Sequence, residues 1–112
     1  MVKNLLVLVL CMAARIAAAD VTAPGATLTK VAGGFAFAEG PCCDDAGNVY
    51  FTDQPNNRIL IWSVDGHLST FMEPCGRSNG LCFDARGRLW SCADEKNELW
   101  RIDVATKAVT VV

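Results

Sequence analysis

Glu39-Gly40-Pro41-Cys42-Cys43-Asp44 returns forty residues later as Asn79-Gly80-Leu81-Cys82-Phe83-Asp84. At that offset Gly40 falls on Gly80, Cys42 on Cys82 and Asp44 on Asp84. The match continues with Gly47 on Gly87, Asn57 on Asn97 and Thr70 on Thr110, and similar residues fill the gaps, such as Tyr50 over Trp90 and Ile59 over Leu99. A fixed period of this length marks a repeat architecture and decides the fold class before any single element does. The first residue of each unit, Glu39 or Asn79, carries an oxygen able to bind a cation. The period places the two at the same position of successive units.

Each unit reads as four short strands. In the first they are Gly40 to Asp44, Val49 to Asp53, Arg58 to Trp62 and His67 to Met72. The turns between them hold the expected residue types: Asp45-Ala46-Gly47-Asn48, Gln54-Pro55-Asn56-Asn57, and Asp65-Gly66 between apolar runs. The second unit repeats the plan over Gly80 to Asp84, Leu89 to Cys92, Asn97 to Ile102 and Lys107 to Val112. Ahead of the repeats, Leu28 to Ala32 is expected to form a short strand, broken by Gly33-Gly34. Four short strands per forty residues is the pattern of a β-propeller blade. The expected fold is all-β, with two blades over about 39–72 and 79–112 and with Glu39 and Asn79 facing a central channel. Two blades do not close a propeller, since about four to eight are usual. The chain is therefore expected to be a piece of a larger domain, or a small protein whose copies assemble into a ring through the exposed flank of a blade.

The chain has 112 residues and a net charge of -2. That charge argues against nucleic acid, whose phosphates need a basic face. Residues 1–19 read as a cleaved export signal: Lys3, an apolar run from Leu5 to Ala14, then Ala17-Ala18-Ala19. The run is too short for a membrane span of about 20 apolar residues. Arg15 is atypical there, and Leu10 before Cys11 disfavours a lipidated cysteine. Export to the periplasm or the exterior follows, with residues 20–112 as the mature domain; an uncleaved anchor is the alternative reading of the leader. Cys42, Cys43, Cys75, Cys82 and Cys92 remain in it, with no metal-ligand spacing. Cys42 and Cys82 are expected to fill one buried slot in two blades as small hydrophobes. A disulfide involving Cys75 is the alternative, open to an exported chain.

From the residues alone, Glu39 opens an inner strand between Ala38 and Gly40. A charge near burial there is costly unless it is paired or binds a metal. A hard cation, an arginine partner and loop exposure all stay open. Asn79 before Gly80 is a common turn pair, and its amide also suits a hydroxyl or a metal-bound water. Arg77 is either a solvated loop charge or a planar donor for substrate oxygens. No serine lies in a nucleophile-elbow motif. His67, after the Asp65-Gly66 turn, is expected on an outer edge. Trp62, Trp90 and Trp100 are expected to pack between blades, and Asp53 and Asp94 to cap turns.

Read in order, Phe37-Ala38-Glu39-Gly40-Pro41, the run Asp45 to Asp53, Pro55-Asn56-Asn57-Arg58-Ile59 and the run Gly76 to Leu89 resemble the start of the gluconolactonase / regucalcin (senescence marker protein) family. The resemblance covers Leu28 to Val112. It implies a six-bladed propeller that hydrolyses sugar lactones with one divalent cation at the channel mouth. Calcium is the first expectation, with zinc, magnesium or manganese as alternatives. It assigns Glu39 as a metal ligand and Arg77 and Asn79 as substrate contacts. It also implies that the other metal ligands, an Asn and an Asp, and the general base belong to later blades beyond Val112, so that this chain alone is inactive. Cys42 and Cys43 depart from the family, which commonly has an aliphatic residue and Trp there. A non-catalytic binding or assembly module derived from a propeller is the alternative function.

Overall fold

A computed structural model describes residues 21–112. The expected export signal at residues 1–19 lies outside the described residues. Eight strands follow one another: β1 (Ala38–Cys43), β2 (Val49–Asp53), β3 (Arg58–Trp62), β4 (Leu68–Met72), β5 (Ser78–Phe83), β6 (Leu89–Ala93), β7 (Glu98–Ile102) and β8 (Val109–Val111). They form two four-stranded antiparallel sheets, β1-β2-β3-β4 and β5-β6-β7-β8, each a meander in sequence order. This is the all-β blade pattern that the repeat predicts.

The repeat is legible in the turns because the same residues make the same bonds. Asp44 Oδ1 accepts from the amides of Ala46 and Asn48 at 3.0 and 2.9 Å, and Asp84 Oδ1 accepts from those of Arg86 and Arg88 at 2.9 and 3.1 Å. Between the second and third strands of each blade a single 3-10 turn, Gln54–Asn56 or Asp94–Lys96, ends on an asparagine in the left-handed region, Asn57 at φ 54° and Asn97 at φ 55°. Asparagine tolerates that conformation better than most residues.

Two expectations fail. Leu28 to Ala32 forms no strand and pairs with neither sheet. Thr70 and Thr110 are not structural equivalents. Leu60 pairs with Thr70 in the first blade, whereas Trp100 pairs with Val111 in the second. The turn Asp103–Ala108 carries one more residue than Ser63–His67, so the outer strand slips by one.

The core lies between the sheets. Side chains alternate across a strand. One face of the first blade presents Cys42, Tyr50, Thr52, Ile59, Ile61 and Phe71, and the second blade lays Leu81, Phe83, Leu89, Trp100 and Ile102 against it. The ring of Tyr50 meets Phe71 of its own blade and Phe83 of the next, both at 5.1 Å between centroids and near perpendicular, the favoured edge-to-face geometry.

Candidate functional site

The blades are closest at β1 and β5. Both strands bulge at the repeat position. Glu39 faces Thr52 and Cys42 faces Tyr50, so three steps on β1 match two on β2, and Ser78 to Leu81 on β5 does the same against β6. Such bulges bend a strand and re-aim its side chains. Gly40 sits in the bulge at φ 57°, and a Cβ there would lie 2.0 Å from the carbonyl oxygen of Asn79. Only glycine lets the two backbones come so near.

Thr52 ties the strands together. Its buried hydroxyl lies 3.0 Å from the carbonyl oxygens of both Glu39 and Asn79, which share its one hydrogen. The two site residues are thereby held side by side across the blade boundary. The side chain of Glu39 is half-buried and has no hydrogen-bond or ion-pair partner among the described residues. Asn79 is half-buried too, and its Oδ1 accepts from the Gly80 amide at 2.7 Å.

Arg77 is placed by the first blade. Asn57 Oδ1 accepts from the amides of Cys75 and Arg77 at 3.0 and 2.7 Å, which fixes the connection into β5. Arg77 itself is exposed, at φ 52°, with its guanidinium 3.4 Å from Gln54 Oε1. Glu39 and Asn79 are thus brought together, and the guanidinium of Arg77 turns to the neighbouring 3-10 turn.

Asp53 stands at the N-cap of the 3-10 turn but makes no side-chain cap bond to it, so the expected capping role is replaced by another. It is fully buried and accepts from the amides of Ala36 and Phe37 at 2.9 and 3.0 Å, from Asn56 Nδ2 at 2.8 Å and from Arg58 at 2.7 Å. Burial pushes its pKa up, but the bonds from Asn56, Phe37, Arg58 and Ala36 outweigh it and bring the carboxyl down to about 2. It latches the stretch that leads into Glu39. Sequence reasoning missed Thr52 altogether and undervalued Asp53, because neither is matched at the repeat offset: Cys92 and Ala93 stand there.

Other candidates fall away from the site. The five described cysteines are free. Cys75 is buried and Cys42 half-buried, with its thiol pushed up to about 11 by burial and then by the neighbouring Cys82, Cys43 and Asp44. Cys82 is exposed, which corrects the expected shared buried slot. The positions are equivalent, but the second blade covers Cys42 and no described residue covers Cys82 in the same way. His67 pairs with Asp65 on an exposed hairpin, at 3.4 Å. Trp100 packs into the core as expected, and its Nε1 donates to Glu98, whereas Trp90 lies on the open face of the second blade and donates to Asp84. Among the described residues, no three His, Cys, Asp or Glu side chains are grouped to hold a metal ion. None of the described helices is long and apolar enough to cross a membrane.

No family model matches the chain. A gluconolactonase from Zymomonas mobilis is 26% identical to it over 107 residues, spanning 83% of this chain and 29% of the relative. A solved structure described as a gluconolactonase superposes with a TM-score of 0.69 at 32% identity, over 74% of this chain and 29% of the other. The chain is homologous to the gluconolactonases. A second solved structure, a gluconolactonase from Xanthomonas campestris, superposes with a TM-score of 0.66 at 24% identity, over 70% of this chain and 26% of the other. This gluconolactonase-like chain spans under a third of the length of the relatives it matches. Its two sheets correspond to two blades of their six-bladed propeller architecture.

Proposed function

We propose that the chain supplies two blades of a sugar-lactone hydrolase, with Glu39 as one carboxylate ligand of a divalent cation and Asn79 and Arg77 as substrate contacts. The observation that carries this reading is the half-buried, partnerless carboxylate of Glu39, fixed beside Asn79 where the two blades meet. A carboxylate held without a partner in a partly dry place is a poor structural choice and a good cation ligand. The homology to gluconolactonases supports the substrate class.

The fit to a cation is partial. Calcium takes about six to eight oxygen ligands. One chain offers the Glu39 carboxylate and the amide of Asn79, and no cluster among the described residues completes the set. A bound cation would supply polarisation of the lactone carbonyl and a more acidic water. What these residues do themselves is narrower. Glu39 brings negative charge to the blade boundary, Asn79 offers an amide to a hydroxyl, and Thr52 and Gly40 hold the two strands at the separation this needs. The general base is assigned to no described residue. Export through the leader at residues 1–19 is part of the same reading.

A chimera tests it. The matched blades of the Zymomonas mobilis gluconolactonase are replaced by residues 38–112 of this chain, and lactone hydrolysis is followed with and without added calcium, manganese or zinc. The expected result is cation-dependent turnover that falls about 100-fold or more in the Glu39→Gln chimera, the size of loss that follows removal of a preorganised electrostatic group. Circular dichroism should be unchanged. Equal turnover by the Glu39→Gln chimera would remove Glu39 from the site.

A further inference from the structure

A cavity of about 110 Å³ lies among Pro74, Gly76, Ala93, Lys96, Glu98 and Trp100. At the repeat offset Ala93 stands for Asp53, Gly76 for Ala36 and Glu98 for Arg58. The register is the same in both blades: Asp53 pairs with Ala38 and Arg58, and Ala93 pairs with Ser78 and Glu98. The cavity is therefore the place that the Asp53 carboxylate and the Arg58 guanidinium fill in the first blade. It opens between the second blade and the connection leading into it, on the side where Trp100 packs against the core.

The groups around it are left with unmet bonding. In the first blade the amides of Ala36 and Phe37 donate to Asp53 at 2.9 and 3.0 Å. In the second, the Arg77 amide turns to Asn57 Oδ1 at 2.7 Å, and the Gly76 amide has no hydrogen-bond partner among the described residues, although Gly76 is buried. An unpaired amide in a buried residue is rare and costly. It needs an acceptor. Glu98 needs a donor: one carboxylate oxygen accepts from Trp100 Nε1 at 2.7 Å, and the other has no partner among the described residues. The Trp100 ring edge lies close over Gly76, where a Cβ would come within 2.7 Å of it, and with Pro74 and Ala93 it makes an apolar wall.

These features select the occupant. A water takes about 30 Å³ of liquid, so the space holds a molecule of several heavy atoms. A small carboxylate would copy the shape of Asp53 but would meet Glu95 and Glu98 against Lys96 alone. A cation would leave the Gly76 amide unpaired. A hydroxyl both accepts and donates. We propose that the cavity binds a small neutral polyol, whose hydroxyls accept from the Gly76 amide and donate to Glu98 while its C–H groups lie on Trp100 and Pro74. The site shares no lining residue with Glu39, Asn79 or Arg77, so it is independent of the lactone reading.

The test is a nuclear magnetic resonance titration of the isotope-labelled 112-residue chain with glycerol, read at the Gly76 amide and the Trp100 indole N–H. Both signals should shift together and saturate at about 1–100 mM, the affinity that so small a ligand reaches. Sodium acetate over the same range should give no saturable shift at either. The Ala93→Asp/Glu98→Arg variant rebuilds the first blade's ion pair in the cavity, and Ala93→Val fills the same space with carbon. Either variant, with circular dichroism unchanged, should weaken glycerol binding by about tenfold or more. A glycerol shift in the wild-type chain that stays linear to about 1 M would overturn the proposal. So would saturation by acetate, or a saturable glycerol shift that a folded variant keeps at full affinity.

Discussion

Gly40→Ala is expected to lose about 3 kcal/mol or more of unfolding free energy, a large share of what a small domain has. Two costs add. At φ 57° any L side chain strains the backbone by about 1–2 kcal/mol. The new Cβ would also sit 2.0 Å from the Asn79 carbonyl oxygen, 3.1 Å from its carbon and 3.2 Å from the Gly80 Cα. All three are backbone atoms, so no rotamer change relieves the clash. The blades must move apart, which pulls the Asn79 carbonyl from Thr52 and loosens the packing of Tyr50 on Phe83. Gly87→Ala is the control. It has φ 70° and nothing within 4 Å, so it should show only the backbone strain of about 1 kcal/mol. Urea unfolding of the two variants compares them directly. Equal losses would mean that β1 and β5 do not approach as described.

Asp53→Ala is the second large effect, at about 3 kcal/mol, because it leaves the partly buried Arg58 and the amides of Ala36 and Phe37 without their acceptor. The pH dependence has a definite sign. The folded carboxyl titrates at about 2, below an unfolded value of about 3.9. Its stabilisation is therefore fully present above pH ~4 and is lost as pH falls towards 2. Asp53→Asn should flatten the loss of stability over that window. Asp84 is lowered by the bonds from Trp90 and Arg88, and Asp44, against its burial, by those from Asn48, Ala46 and Gly47, so both keep part of the slope in place. An unchanged acid slope in Asp53→Asn would contradict the buried latch.

The repeat carried most of the fold. Asp44 and Asp84, Asn57 and Asn97, and Gly47 and Gly87 could be read as turns because the backbone there needs those residue types whatever surrounds them. Leu28 to Ala32 was misread for the opposite reason: it has β-forming residues, but a strand needs a paired neighbour, and neither sheet takes it up. The slipped register of β8 hides in one extra residue of a turn. Cys82 shows the limit most clearly. Its place in the sheet was legible from Cys42, whereas its exposure depends on what stands next to the second blade. At the candidate site, the offset placed Glu39 and Asn79 as equivalents, and the structure sets them side by side. The bond that holds them comes from Thr52, which has no counterpart at the offset. The turn of Arg77 towards Gln54 was also out of reach, since it depends on Asn57 gripping the connection into β5.

The chain has a single tyrosine, so the packing of one blade on the other can be read from one ring. Nuclear Overhauser contacts from the Tyr50 ring protons should reach Phe71 and Phe83 alike, since both rings lie 5.1 Å away. Phe71 belongs to the same blade and serves as the internal standard. Contacts to both rings would confirm that the second blade covers the first at the boundary where Glu39 and Asn79 meet. Contacts to Phe71 without Phe83 would show two folded blades that do not pack in this way, and would contradict the account.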